Sequence, residues 1–390
     1  MNRLPLSGVR VADFSWIIAG PTATRHLALM GADVIKVGSA RRPDPSTRGS
    51  AFHVYNQSKK YTALNLSQQR GKDLALDLVA QCDVVVENYA AGVFERLGLG
   101  YDVLSEVRPD IVMIASSGTG HTGPDRDYVA YGSLLQHYTG WNSISGYPDS
   151  EPIKGGLWAD PWVGMELAMI TVAALNHRLE TGTGQYVDFS MAEALSASLP
   201  EALLDYQMNG IEPVPVGNRD RNLAPHSVYR CAGDDRWIAV EVHTSEQWHS
   251  LCEVIGRADL VSDSNLDTPE GRKAREDEID RAIGAWTSEI DDEEAFHLLQ
   301  RAGVPCGLSL DMGRLHAEPQ LNEGGYLTSI EYPDGAERVL PTLPWRFDGS
   351  PDFQLGPAPE LGHDSAYMYS ELLGLSDADI EALIEERVIY

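Results

Sequence analysis

Short apolar runs rich in β-branched residues alternate with helical spacing along the first third of the chain. Residues 9–14 (VRVADF) predict a strand, followed by a turn at Ala19-Gly20-Pro21. Residues 22–30 carry a helical pattern that Gly31 stops, and residues 32–37 predict the next strand. The pattern then repeats. Residues 71–81 read as helix and 83–87 (DVVVE) as a buried strand; a further helix ends near Arg108, and residues 111–116 (IVMIAS) are again strand. Strand–helix–strand alternation of this kind predicts an open α/β sheet with helices on both faces. No GxGxxG follows the first strand, which argues against an ordinary dinucleotide site.

Residues 118–158 are rich in Gly, Tyr, Ser and Pro with weak periodicity, and predict a long ordered loop or the wall of a site. A strong helix is predicted over 161–178, ending at Thr181-Gly-Thr-Gly184, with a strand at 187–189 and a helix over 192–208. Around 214–225 the composition shifts to Pro, Asn and Arg, as in a linker. Beyond it, strands at 227–230 and 237–242 mix with helices at 246–255, 273–287 and 293–302 to predict a smaller α+β domain. Strand-like pieces begin near Tyr326, and a last amphipathic helix is predicted at 377–386.

A chain of 390 residues suggests two domains or one large discontinuous one. The net charge of -28 argues against a nucleic-acid partner, because phosphate neutralisation needs clustered cations. The charge is uneven, however: residues 1–72 hold eleven Lys and Arg against three acids, Asp13, Asp33 and Asp44. That segment is either a solvated face or a short-range site for a small phosphorylated ligand. No apolar run is long enough for a membrane span, and Asp13 interrupts the start too early for a secretory leader. Cys82, Cys231, Cys252 and Cys306 are far apart with no metal-type spacing, so reduced thiols, a cytoplasmic location and no metal are expected.

Asp160 stands in Trp158-Ala-Asp-Pro-Trp162, just before the predicted long helix. By itself, Asp followed by Pro is an ordinary N-cap with Pro at N1. A carboxylate at a helix N-terminus is also favoured in its ionised form, which covalent acyl transfer requires. The two roles are compatible.

Several spaced motifs together resemble the class III CoA transferases, which include formyl-CoA:oxalate and carnitine CoA transferases. The resemblance runs from Leu4 to about Asp364. It rests on Asp13-Phe-Ser-Trp-Ile-Ile-Ala-Gly-Pro21 with Gly31-Ala-Asp-Val-Ile-Lys36, and on Asn56-Gln-Ser-Lys-Lys60 with Leu64-Asn-Leu66. It continues through Val86-Glu-Asn-Tyr89, Arg96-Leu-Gly98 and the Gly-rich Ser117-Gly-Thr-Gly-His-Thr-Gly-Pro124. Asp160-Pro-Trp-Val-Gly164 is the most specific piece, followed by Ala173-Ala-Leu175, Arg178 and Thr181-Gly-Thr-Gly-Gln185. Gly303-Val-Pro305, Asp311-Met312 and Ala358-Pro-Glu-Leu-Gly362 complete it.

The resemblance implies a large CoA-binding domain with an open doubly wound sheet, built from both chain ends (1–215 and 326–390). It further implies a small α+β domain at 226–322, linkers at 216–225 and 323–325, and a homodimer whose chains interlock like rings. Acyl-CoA and a carboxylic acid are the implied substrates, with succinyl-CoA as a candidate donor, and no tightly bound cofactor is implied. Asp160 is the implied nucleophile. It attacks the thioester to give a mixed anhydride and CoA thiolate, which then forms an aspartyl-CoA thioester. Ile17, Ile18, Ala19, Arg42, Leu64, Asn88, Tyr89, Arg96, Leu97 and Tyr131 are the implied CoA-binding residues.

The chain also departs from the family. Ile18 stands where the oxalate enzymes have a Gln, so a very polar acid loses a hydrogen-bond donor. Gly38 and Ser39 replace a common acid and Arg, leaving Arg41 or Arg42 for the phosphates. The small domain has Gly217-Asn-Arg-Asp220 and Ala224-Pro-His226 in place of a glycine-rich lid. Racemases of the same family use a His in a Gly-His-Asp run, where this chain has Ala130-Tyr131-Gly132. A 2-methylacyl-CoA racemase or epimerase is therefore an alternative of lower standing, as is a CoA-binding partner subunit of a heteromeric transferase. His121 reads as a loop histidine bonded to backbone or water. Trp141, Tyr147, Trp158 and Trp162 read as core or as walls of an acyl pocket.

Overall fold

The computed structural model describes residues 3–152, 155–348, 351–353 and 355–390. Six strands form one parallel sheet: β1 (Arg10–Asp13), β2 (Asp33–Gly38), β3 (Lys60–Ala63), β4 (Val84–Glu87), β5 (Val112–Ser117) and β6 (Gln185–Ser190). Their order is β3-β2-β1-β4-β5-β6. β4 and β5 are buried along their whole length, which is why they read as continuous apolar runs rather than alternating ones.

Alternate side chains serve two cores. Val11, Val34, Val84, Val86 and Ile114 face helices Ala19–Leu29 and Ala159–Thr181. Ala12, Ile35, Val85 and Met113 face helix Gln69–Ala80 and the C-terminal helix Asp377–Glu385, through Leu74, Leu78 and Leu383. The chain builds outward from β1 to β3, then returns across β1 to start β4. β1 and β4 are neighbours, with Val11 opposite Val84 and Asp13 opposite Val86. The connection reverses there, so the crevice at the carboxyl ends of β1 and β4 is where an open α/β sheet takes its ligand.

Helix Ala159–Thr181 crosses helix Ala19–Leu29 at Gly164, where a Cβ would lie 2.5 Å from Thr22 Cβ and 2.7 Å from the Ala19 carbonyl oxygen. Only a residue without a side chain lets the two backbones approach this closely. The far end of the long helix is tied to the sheet by Arg178, which donates to Asp83 at 2.9 Å and to Asp110 at 2.7 Å.

The chain separates into two compact units, the first of Met1–Trp141, Lys154–Gly210 and Pro319–Tyr390 and the second of Asn142–Ile153 and Ile211–Glu318. Residues 142–153 and 211–225 thus group with the second unit, and 319–325 with the first. The second unit holds an antiparallel sheet of β7 (His226–Arg230), β8 (Trp237–Glu241) and β9 (Cys306–Leu308). Its core includes Trp248, Leu251, Ile279, Ile283 and Leu299. In the first unit, β10 (Leu327–Glu331) and β11 (Glu337–Pro341) make a hairpin.

Three local expectations are corrected. Residues 118–158 are not all loop, because helices Gly132–Tyr138 and Trp141–Ile144 form within them. The helix predicted over 192–208 is two helices, Met191–Ala197 and Pro200–Asn209, since Pro200 has no N–H to continue the first and starts the second. The helix predicted over 273–287 likewise breaks at Arg275 into Pro269–Ala274 and Glu276–Thr287.

Candidate active site

The crevice between β1 and β4 opens into a cavity of about 420 Å³. Phe14, Ser15 and Trp16 enter it from the end of β1, Lys36 and Gly38 from β2, Leu64 beyond β3, and Tyr89 and Leu97 beyond β4. Arg41 and Arg42 stand at its solvent side, both exposed. The Arg42 guanidinium lies 4.6 Å from the Trp16 ring centroid, a cation–π contact that holds it over the cavity. Arg41 donates to Ser67 Oγ at 3.3 Å. Neither guanidinium has a carboxylate partner among the described residues, which leaves two cations available to an anionic ligand. Four other cations of the basic first segment are spent internally: Arg10 and Lys60 on Asp33, Lys59 on Asp13, and Lys36 on Asp44 at 3.5 Å.

A buried polar network sets the shape of this crevice. Asp13 Oδ2 accepts from Thr24 Oγ1 at 2.6 Å and from Lys59 Nζ at 3.1 Å, while Oδ1 accepts from Ser15 N and Oγ. Burial by itself would raise Asp13, but the Lys59 and Lys36 ammonium groups and these hydrogen bonds outweigh it and hold the carboxyl below its usual range. Lys36 Nζ donates to the Ser15 carbonyl at 2.6 Å, and Asn88 makes reciprocal bonds with the Trp16 backbone at 2.9 and 3.0 Å. Ile17 is forced to a φ of 67°, where a β-branched residue is strained. Its N–H is held there by the Asp44 carboxylate at 3.2 Å. Segment 15–19 is therefore over-determined from both sides of the switch point.

That segment leads directly to Asp160. Ala19 begins the helix that packs on Gly164, and Asp160 lies one turn earlier on the long helix. Asp160 is the second residue of that helix, with Trp158 at the cap position, so it does not act as the expected N-cap. Its carboxyl is raised above the usual range by burial, offset in part by a backbone hydrogen bond. No other side chain hydrogen-bonds it among the described residues. The nearby Tyr55 phenol is raised by burial and then by the Asp160 charge. A carboxylate that is desolvated, unpaired and held at a helix N-terminus is available for nucleophilic chemistry rather than engaged in an ion pair.

A second acid lies beneath the cavity. Glu87, at the end of β4, is fully buried; its Oε2 accepts from Tyr89 N at 2.8 Å and its Oε1 has no hydrogen-bond partner. His121 Nε2, also without a hydrogen-bond partner, faces Oε1 at 3.6 Å, and the His121 backbone N–H donates to Asp188 at 2.8 Å. The ring of this loop histidine is turned toward the buried Glu87 carboxyl, with the half-exposed Glu95 carboxylate 3.9 Å from Nδ1. Burial, reinforced by Glu95 and Asp188 and opposed by the Tyr89 amide, pushes Glu87 up to about 8. A raised acid binds its proton more tightly in the folded than in the unfolded chain. Its contribution is fully present below the unfolded value and lost as pH rises through about 8. Glu87→Gln, which mimics the neutral acid, is expected to remove that loss. In urea unfolding between pH 5 and 9, the wild type should lose on the order of 4 kcal/mol relative to the variant. Parallel curves for the two proteins would show that Glu87 is buried as an anion.

Of the residues expected against CoA, Arg42, Leu64, Tyr89 and Leu97 line the cavity. Asn88 and Ile17 fix its floor through Trp16 and Asp44, and Ile18 and Ala19 carry the chain on toward Asp160. Arg96 is exposed on the turn before Leu97 and does not line the cavity. Tyr131 is also outside it, exposed, and adjoins Gly132, which touches Asp160. Trp141 and Trp158 pack edge to face at 4.9 Å with Trp141 Nε1 bonded to the Leu195 carbonyl, whereas Tyr147 covers Gly217 in the second unit. Trp16, Lys36, Asp44 and Tyr61 belong to the cavity, and sequence reasoning does not single them out. The only sequence signal for Trp16 is its place within the motif that follows β1.

A family model described as CoA-transferase family III matches residues 6–365. The chain is 32% identical to a probable CoA-transferase of Mycobacterium tuberculosis over 99% of its own length, and spans about half (50%) of that longer protein. It is 29% identical to a succinyl-CoA–D-citramalate CoA-transferase of Chloroflexus aurantiacus, covering 99% of this chain and 98% of that one. Among solved structures, a CAIB/BAIF family protein from Brucella suis superposes with a TM-score of 0.86 at 28% identity, over 95% of this chain and 100% of the other.

Proposed function

This chain belongs to CoA-transferase family III, and we propose that it moves CoA from an acyl-CoA donor to a carboxylic acid through covalent intermediates on Asp160. The observation that carries the reading is the desolvated, unpaired Asp160 carboxylate, one helical turn from the contact with Ala19 and so beside the segment that floors the cavity. In the proposed pose, Arg41 and Arg42 meet the CoA phosphates at the open side. The thiol arm passes along 17–19, and the thioester carbon reaches Asp160.

Attack of the carboxylate on that carbon breaks the C–S bond and gives a mixed anhydride and CoA thiolate. The thiolate attacks the aspartyl carbonyl, forming an aspartyl-CoA thioester and releasing the donor acid. An acceptor carboxylate then runs the two steps in reverse and leaves with CoA. One thioester replaces another, so the demand on the site is alignment and exclusion of water from the anhydride rather than driving force.

The similarity to a succinyl-CoA-dependent enzyme supports succinyl-CoA as donor. Apolar Ile18 supports an acceptor other than oxalate. A homodimer with interlocked chains is supported by the apolar residues left exposed on the long helix, Met165, Met169, Val172 and Leu179, and on helix Pro200–Asn209, Leu203, Leu204 and Met208. Exposed large apolar side chains on two helices are the kind of surface a protein partner covers. The test is incubation with succinyl-CoA and a panel of carboxylic acids, read by mass spectrometry. The expected result is a new acyl-CoA formed mole for mole with succinate. Free CoA alone, or α-proton exchange without any acceptor, would overturn the reading.

A further inference from the structure

Gly132 opens helix Gly132–Tyr138 and is buried, yet its backbone is outside the left-handed region, so its conformation suits any residue. What demands glycine is space. A Cβ there would lie 2.2 Å from Asp160 Oδ2, 2.8 Å from Asp160 Cγ and 3.3 Å from Ala159 Cβ. The Asp160 carboxylate therefore rests on the bare Cα of Gly132. The Asp160 backbone is meanwhile fixed one turn away by the Gly164 crossing. We infer that Gly132 is a positioning residue for the transfer reaction: it seats the Asp160 carboxylate in its attacking orientation, and any side chain at 132 swings the carboxylate off the acyl carbon. This rests on the reading of Asp160 as nucleophile.

The contact assigns different work to the two carboxylate oxygens. Oδ2 is the covered one, so Oδ1 faces the thioester and becomes the bridging oxygen of the anhydride. Oδ2 remains as the aspartyl carbonyl oxygen, which the thiolate's attack then turns into an oxyanion at the same seat. Gly132 thus seats Oδ2 while each intermediate grows on the opposite, Oδ1 side of the aspartyl group.

Gly132→Ala separates this role from a structural one, because alanine is acceptable to the helix and the carboxylate makes both contacts under 3.0 Å, Ala159 Cβ being the milder one at 3.3 Å. The expected result is a fall in kcat of about 100-fold or more, as for a misplacement of about 1 Å. KM for succinyl-CoA should change less than about threefold, since the cavity lies elsewhere. The structural control is the pair Asp160→Ala and Gly132→Ala/Asp160→Ala, compared by thermal melting. With the carboxylate gone, the Gly132→Ala change should cost clearly less than in the wild-type background, since only the Ala159 contact remains, whereas a purely structural glycine would cost as much. If Gly132→Ala alone does not fold, a folded double variant supports the inference and an unfolded one overturns it. Full kcat in Gly132→Ala, while Asp160→Asn is inactive, overturns the inference and leaves the nucleophile standing. Activity in Asp160→Asn would instead remove the reading beneath it.

Discussion

Asp160→Asn is expected to lower kcat for CoA transfer by at least about 10⁴-fold, the scale seen when a covalent catalyst loses its nucleophile. The amide has the shape of the carboxylate but no anionic oxygen to attack a thioester. Affinity for acyl-CoA should stay within about threefold, because the cavity residues and both rim arginines are untouched. Stability should not fall. Burial already penalises the Asp160 anion, and no side-chain partner is left unpaired when the charge goes. Loss of kcat with binding and folding intact is the pattern to look for in steady-state kinetics, calorimetric titration with CoA and thermal melting. A variant that loses binding as much as turnover would place Asp160 among the groups that hold substrate.

The second large effect is on stability. Lys59→Met is expected to destabilise the fold by about 3–5 kcal/mol, the cost of leaving one member of a buried ion pair unpartnered. Asp13 and Lys59 have no exposed side-chain surface and meet at 3.1 Å, and Lys59 also satisfies the Pro21 carbonyl and Asn56 Oδ1, each at 3.0 Å. Removing it takes a hydrogen bond from each of three acceptors and leaves the Asp13 charge without its ammonium partner. Combining Lys59→Met with Asp13→Asn removes the orphaned charge and should recover part of the loss, which urea unfolding of the single and double variants measures. Additive losses would mean that the two groups act independently.

Most of the sheet was legible because buried parallel strands announce themselves as β-branched runs, as in 83–87 and 111–116, and because helices between them end at glycines such as Gly31. The Gly/Tyr-rich stretch before Asp160 was not. Helices Gly132–Tyr138 and Trp141–Ile144 are too short for a periodic signal and are separated by Gly140, so tertiary packing decides them. Asp160 was recognisable from its motif, but its local reading as a cap missed by two positions, the usual margin at a helix end.

The site divides along the same line. Leu64, Tyr89 and Leu97 lie in motifs that can be read in order along the chain, whereas Arg42 stands where the chain departs from them. Lys36, Asp44 and Trp16 become neighbours only when β2 pairs in parallel beside β1, which no local pattern encodes. Gly132 is harder still. A glycine required by a turn announces itself by its neighbours, whereas one required by a carboxylate 28 positions later leaves no sequence mark.

The central claim is that the acyl group and then CoA reside on Asp160. The most direct measurement is a single-turnover incubation with succinyl-CoA, quenched with hydroxylamine and followed by peptide mass spectrometry. The expected result is a hydroxamate on the peptide bearing Asp160, absent in Asp160→Asn. An unmodified Asp160 with CoA demonstrably bound, or a hydroxamate on another carboxylate, would contradict the account.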